Sequence, residues 1–338
     1  MKRNPFEIAL KTIRNYEMVR PGDVVLAAVS GGPDSIFLLH LLVGLKRKLG
    51  IRDVVVCNLD HGLRGEESAR DSRLVKEYAS RLGLAFVHRK VSLKGRKVKP
   101  LSTEELARQV RYDFFNYAAA KSSANVIATG HTLDDQAETV LMRLVKGASL
   151  KGIVGISPVR EEGDLKIIRP LIEIEKDEIV TYLDGSGIRY RIDSTNREPI
   201  YFRNIVRSEI MPFLERYNPR LKRVLFNLAE HLREDFEFIR DEKKRVLDIV
   251  RRKRGGVEIK LTDIIVQPKA MQKELLRDSL EKAGGEVKKL SFRHWKEVEA
   301  LIKYGRRGNS IDLPGNIRAS RSDNLISFYR RGGNNLAR

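Results

Sequence analysis

Over its first two thirds the chain alternates short apolar runs with longer amphipathic stretches. Val24–Val29 (VVLAAV) has the length and composition of a buried strand, and Ile36–Leu45 (IFLLHLLVGL) that of a helix buried on one side. Asp53–Leu59 (DVVVCNL) repeats the strand signal. Glu66–Leu82 then places Ala69, Leu74, Val75, Tyr78, Ala79 and Leu82 close to helical spacing. Ala85–Val91 predicts a third strand, and Ser102 with Glu105 forms a capping-box pattern that opens a helix running to about Lys121. Asn125–Thr129 predicts a fourth strand, followed by a helix from about Asp134 to Lys146. Such alternation predicts an α/β domain, a doubly wound parallel sheet covered on both faces.

From about Tyr217 the pattern changes to long, charged, helix-rich sequence, so a domain boundary is expected near Asn218-Pro219. This gives a catalytic domain over 1–216 and a second, mostly helical, basic C-terminal domain over 217–338. The latter ends in a small hairpin turning at Leu313-Pro314-Gly315-Asn316. Two domains also suit 338 residues, which exceed the usual size of a single core.

Charge changes the picture next. The chain carries 65 Lys and Arg against 45 Asp and Glu, a formal net charge of +20, with a pI near 10.0. Each Lys or Arg docked on a phosphate releases a condensed counterion, so nucleic acid becomes the expected partner. No apolar run approaches the roughly 20 residues of a membrane span. The charged N-terminal stretch MKRNPFEIALKTIRNYEMV suits an amphipathic opening helix rather than a signal peptide, and a cytoplasmic location is expected. Cys57 is the one cysteine, which excludes an internal disulfide and a CxxC pair for zinc, a cluster or sulfur relay.

The strongest chemical signal is Ser30-Gly31-Gly32-Pro33-Asp34-Ser35, between the first strand and its helix. Glycines let the backbone approach an anion, and the turn and helix N-terminus aim N–H groups at it, which makes a phosphate cradle. It is not a Walker A loop: Gly147 and Gly152 have the glycine spacing, but Ile153 follows where lysine is required. Asp34 is placed either to hold Mg²⁺ near the phosphates or to cap the helix. His131 follows the fourth strand, at the carboxyl edge where open α/β sheets build their sites. Asp135 and Glu138 share one helix face, able to hold a cation, though acids are also common in a first helical turn. Arg111 and Arg203 suit a developing α-phosphate charge or an RNA backbone. Asp60, His61 and Arg64 follow the second strand, at the nucleotide edge, where Asp60 could equally cap the next segment. Arg251-Arg252-Lys253-Arg254 and Arg306-Arg307 are the densest basic clusters of the second domain, suited to an RNA backbone or to a solvated face.

In this setting SGGPDS resembles the PP-loop of the ATP-pyrophosphatase superfamily (adenine nucleotide alpha hydrolase-like), which cleaves ATP between the α- and β-phosphates. Further stretches resemble the tRNA(Ile)-lysidine synthetases: Leu59–Arg64 (LDHGLR), Glu104–Arg108 (EELAR) with Arg111-Tyr112, and Ala128–Thr139 (ATGHTLDDQAET). So do Asp193-Ser194-Thr195-Asn196 with Arg203-Asn204 and Arg207. The resemblance implies ATP and Mg²⁺ as cofactors, and as substrates L-lysine and tRNA(Ile) with a CAU anticodon. It implies two steps: adenylation of the C2 oxygen of the wobble cytidine, then displacement of AMP by the lysine ε-amine. The lysidine so formed changes codon reading from AUG to AUA. It also implies Ser30–Ser35 as the ATP site, with Asp34, Arg111, His131, Asp135, Glu138 and Arg203 as catalytic residues. Asp60, His61, Arg64, Asp193, Asn196, Arg203 and Arg207 would lie at the tRNA or nucleotide edge. A PP-loop tRNA thiolase is the rival reading, disfavoured by the single cysteine. No protein partner is suggested.

Overall fold

The computed structural model describes residues 4–60, 62, 66–91, 103–191, 202–253 and 255–332. The chain divides into two compact units, Met1–Leu232 and Arg233–Arg338. This division falls inside a helix, later than the Asn218-Pro219 boundary expected from the change in sequence pattern.

The first unit opens with α1 (Pro5–Asn15), capped by the Asn4 side chain on the Phe6 N–H. The alternating elements follow: β1 (Val24–Ala28), α2 (Pro33–Leu49), β2 (Asp53–Asp60), α3 (Glu66–Arg81), β3 (Phe86–Lys90), α4 (Thr103–Ser122), β4 (Val126–Ala128) and α5 (Leu133–Val145). Next come α6 (Leu150–Ile153), β5 (Val159–Glu162), β6 (Leu165–Ile168) and α7 (Lys176–Gly185). After an undescribed stretch, α8 (Phe202–Ile205) passes through one π-helical segment, Val206–Ile210, into α9 (Met211–Glu215), and α10 (Leu221–Arg245) leads on into the second unit.

The sheet order is β3-β2-β1-β4-β6-β5, with every pairing parallel except β5 with β6. The doubly wound reading therefore holds, extended by the β5–β6 hairpin, which its short, charged strands (VREE, LKII) concealed from the sequence pattern. Alternate strand residues serve two cores: Val25, Ala27, Val54 and Val56 pack with α1, α2 and α7, while Val24, Leu26, Val55 and Cys57 pack with Phe114, Phe115 and Ala118 of α4. Winding reverses at β1, with β2 on one side and β4 on the other, so the loops after β1 and β4 open a crevice at the switch point. Among the described residues no helix is long and apolar enough to cross a membrane.

The second unit has the expected helices and, beside them, a sheet that the sequence pattern did not predict. It contains a five-stranded antiparallel sheet, β7-β8-β11-β10-β9, formed by β7 (Val250–Lys253), β8 (Gly256–Lys260), β9 (Ser310–Leu313), β10 (Ile317–Arg321) and β11 (Leu325–Arg330). The helices α11 (Leu261–Ile265), α12 (Lys269–Lys282) and α13 (Phe292–Tyr304) share a core with it, Ile264, Leu275, Leu280, Val298 and Leu301 clustering with Val257, Ile259, Ile326 and Phe328. The expected terminal hairpin is β9–β10, built into this sheet. Short amphipathic strands such as VRRK and GVEIK carry too little apolar sequence to announce themselves beside long charged helices.

Candidate active site

The loop after β1 is held from within. Ser35 Oγ accepts from the backbone N–H groups of Ser30 (3.1 Å) and Gly31 (3.2 Å) and donates to the Gly32 carbonyl (2.9 Å), so this hydroxyl staples the turn. Gly31 sits at φ +98°, a left-handed conformation that a side chain would strain, although a Cβ there would make only ordinary van der Waals contact with Asp71. Pro33 begins α2 with the φ a first helical turn needs, and the Gly32 N-cap supplies no side-chain bond. The first-turn N–H groups are thereby left facing the crevice without a side-chain cap, as an anion cradle requires. A Cβ on Gly130 would lie 3.2 Å from the Asp34 backbone carbonyl, so the loop after β4 closes directly onto the PP-loop.

Asp34 enters the crevice from this loop. Its Oδ1 is enclosed and has no hydrogen-bond partner, while Oδ2 lies 4.0 Å from Lys176 Nζ. Burial, opposed by Lys176 and reinforced by Asp135 and Asp134, pushes its carboxyl up to about 7.

Across the crevice, Thr129 and His131 leave the end of β4. Thr129 Oγ1 lies 2.9 Å from His131 Nδ1, which orients the ring. Burial, with Arg169, Arg203 and Arg111 nearby and against the pull of Asp135, pushes the imidazole down to about 4, so it is neutral at physiological pH. Thr132 caps α5 in a reciprocal capping box: Asp135 N–H donates to Thr132 Oγ1, and Thr132 N–H donates to Asp135 Oδ2 (3.0 Å). One Asp135 oxygen is thus committed to the helix end, and the other points into the site.

That other oxygen meets a ring of cations. Asp135 Oδ1 lies 3.2 Å from Lys176 Nζ, 3.5 Å from Arg207 and 3.8 Å from Arg203. Burial alone would raise the Asp135 carboxyl; Lys176 foremost, then His131, Arg203 and the Thr132 N–H, reverse this and hold it far below the usual carboxylate range. Glu138, one turn on and 4% exposed, accepts from Arg203 Nε (3.1 Å) and from Arg207 Nε (2.6 Å) and NH2 (2.9 Å). Arg203 and Arg207 are four residues apart on the segment that turns π-helical at Val206, so one face presents both guanidinia to α5. Behind the site, Asp134 joins α5 to its neighbours: Oδ2 accepts from the Lys176 N–H (2.8 Å), and Oδ1 pairs with Lys222 Nζ (2.8 Å).

A PP-loop domain model matches residues 4–214. The chain is 36% identical to a tRNA(Ile)-lysidine synthase of Geobacter sulfurreducens over 338 residues, covering 97% of this chain and 70% of the relative. It is 34% identical to one of Clostridioides difficile, covering 95% of this chain and again 70% of the relative. The chain belongs to the tRNA(Ile)-lysidine synthase family. The solved structure of the U34-tRNA thiolase NcsA from Methanococcus maripaludis with its 4Fe-4S cluster matches with a TM-score of 0.57 at 20% identity, over 68% of this chain and 78% of that one, and shows the shared PP-loop fold.

In this lysidine synthase family chain the crevice gathers Ser30–Ser35, His131, Asp135, Glu138, Arg203 and Arg207, all expected at the site. Arg111, on α4, stands near enough to His131 to lower its basicity. Asp60 is buried at the end of β2 and its Oδ1 accepts from the Gly62 N–H two residues on (2.7 Å). His61, Arg64, Asp193 and Asn196 lie outside the described residues, as do Ser102 of the expected capping box and Arg254 of the basic run. The two C-terminal basic clusters do not come together: Arg251–Lys253 lie on β7, one edge of the second sheet, and Arg306-Arg307 lead into β9, the opposite edge. Sequence reasoning missed Lys176, Thr132 and Arg169. The first carried one faint signal, a lysine in the first turn of a helix, where the dipole disfavours positive charge.

Proposed function

We propose that this chain is an ATP-dependent ligase that forms lysidine in tRNA(Ile). The C2 oxygen of the wobble cytidine in the CAU anticodon attacks the ATP α-phosphorus, forming a C–O–P linkage and releasing pyrophosphate. The lysine ε-nitrogen then attacks C2; the C–N bond forms, the C–O bond breaks, AMP leaves and the nitrogen gives up a proton. Adenylation is needed because oxide leaves poorly from C2, whereas AMP leaves readily. Family membership supports the substrate pair, and the juxtaposition of the PP-loop with the Asp135–Glu138–Arg203–Arg207 network carries the chemistry.

In this reading Gly31, Gly32 and the first turn of α2 bind the phosphates, and Ser30 and Ser35 hold the loop in shape. Mg²⁺ suits Asp34, whose enclosed oxygen lacks a partner and whose carboxyl is burdened by burial; substrate phosphates and water complete such a shell. When bound, the metal neutralises phosphate charge. Arg203, with Arg111, faces the charge that develops on the α-phosphate. Glu138 orients Arg203 and Arg207, and Asp135 Oδ1 receives the lysine ammonium. His131, neutral and held at Nδ1, offers Nε2 for positioning or proton transfer. A cleft of about 340 Å³ lined by Arg70, Arg73, Arg189, Arg191 and Glu77 adjoins the PP-loop, since the Arg191 N–H donates to the Gly31 carbonyl (2.9 Å). Its net positive charge suits the anticodon-loop backbone. The sulfur-delivering alternative finds no support, because Cys57 is buried inside β2 and burial pushes its thiol far up.

The test is incubation of the full chain with radiolabelled lysine, ATP, Mg²⁺ and bulk tRNA. ATP-dependent incorporation confined to the isoleucine acceptor with a CAU anticodon is expected. Absence of incorporation by folded protein, or incorporation that needs no ATP, would overturn the assignment.

A further inference from the structure

We propose that Lys176 is an internal occupant of the lysine site, holding Asp135 until nucleotide binds, so that ATP must bind before the amine substrate. The inference rests on the assignment of Asp135 Oδ1 as the ammonium acceptor. Asp135 Oδ2 is committed to the Thr132 cap, which leaves Oδ1 as the one oxygen able to receive an ammonium, and Lys176 Nζ already lies 3.2 Å from it. A second ammonium at that oxygen would add a fourth positive charge to the three already gathered there, so it competes with Lys176 for the place.

Of the three cations around Oδ1, Lys176 is the exchangeable one. Arg207 is bound to both oxygens of Glu138, and Arg203 bonds Glu138, the Thr139 hydroxyl and the Asp135 carbonyl. Among the described residues, Lys176 Nζ meets Asp135 and, at 4.0 Å, Asp34. Its backbone is pinned by the bond from its N–H to Asp134 and by the capping box between Glu175 and Glu178, while its side chain is 27% exposed. The fixed base and flexible four-carbon stem let Nζ pivot without moving α7.

The direction of the pivot follows from Asp34. That residue lies in the first turn of α2 in the PP-loop, where the triphosphate would bind, so nucleotide brings negative charge to the Asp34 side of Nζ and competes with Asp135 for it. Lys176 then bonds the phosphates, Oδ1 is released, and the substrate ammonium enters an acceptor that already carries the correct charge. In the ligand-free protein the same contact adds to the compensation that Arg203 and Arg207 give the buried Asp135 carboxylate.

The test is equilibrium dialysis of radiolabelled L-lysine against the full chain, with and without a non-hydrolysable ATP analogue and Mg²⁺, for wild type, Lys176→Met and Lys176→Gln. Wild type should bind lysine at least about fivefold more tightly when nucleotide is present, the lower end of ordinary coupling between sites. Both variants, shown folded by thermal melts, should bind lysine without nucleotide at least as tightly as wild type binds it with nucleotide, and lose the dependence. Lys176→Arg restores a charge and should restore part of it. Equal lysine binding by wild type with and without nucleotide, or variants that keep the wild-type dependence, would overturn the exchange while leaving the lysidine assignment intact. Failure of every protein to bind lysine, together with no incorporation into tRNA, would remove both.

Discussion

Replacing Glu138 by glutamine tests whether the acid that looked ready for a substrate cation in fact organises the protein's own arginines. The substitution keeps the volume and removes the charge at a side chain 4% exposed that accepts three hydrogen bonds, from Arg203 Nε and from Arg207 Nε and NH2. A hydrogen bond to a charged group contributes about 1.5–3 kcal/mol, and removal of one partner of a fully buried pair costs about 3–5 kcal/mol. Here the arginine side chains are 38% and 32% exposed, so water takes up part of their lost solvation and the expected loss is about 2–3 kcal/mol. For a folded unit of this size that is a fall in Tm of about 4–12 °C, read by calorimetry or circular dichroism. Because Glu138 and Arg207 share bonds, Arg207→Met should cost less in the Glu138→Gln background than alone, with a coupling of about 1–2 kcal/mol. Lysidine formation should drop as well, since both guanidinia lose their anchor. A Tm within about 2 °C of wild type, or strict additivity in the double variant, would refute the idea that Glu138 organises this network.

Asp34 gives a pH signature: its folded carboxyl is raised to about 7 from 3.8, so its contribution to stability is complete below about pH 4 and is lost as the pH rises through 7. Asp34→Asn lacks that titration, and its stability advantage over ligand-free wild type should grow between pH 4 and 7 to about 2–4 kcal/mol, then level off; urea titrations showing a pH-independent difference would contradict this. Gly31→Ala must adopt φ +98°, so a loss of about 1–3 kcal/mol and weakened nucleotide binding are expected, measured by melts and by fluorescent-analogue titration. Unaltered nucleotide affinity in that variant would remove Gly31 from the cradle. Cys57 is buried with its thiol pushed up, so a thiol reagent should label it only after unfolding, and Cys57→Ala should retain ATP-dependent lysine incorporation. Loss of incorporation by folded Cys57→Ala would restore a thiol-based mechanism.

By itself the sequence determined the parallel α/β unit and the loop that begins the site. Both are local: apolar runs of strand length, and Gly31 and Gly32 before Pro33, are legible because each sets the conformation of its own few residues. The charge of +20 and the single cysteine narrowed the chemistry without any fold. Tertiary structure alone decided what those residues touch. Asp135 and Glu138 looked equivalent along α5, yet packing gives both Glu138 oxygens to Arg203 and Arg207, 65 and 69 residues away in the chain, and turns one Asp135 oxygen to its own helix cap. Lys176 reaches the site because the segment after β6 brings the start of α7 beside Asp134 and Asp135, a meeting 41 residues apart in the case of Asp135 that no local pattern records. The second sheet stayed hidden for the same reason: β8 pairs with β11 across more than sixty intervening residues, and its strands become recognisable as strands only when those partners satisfy them.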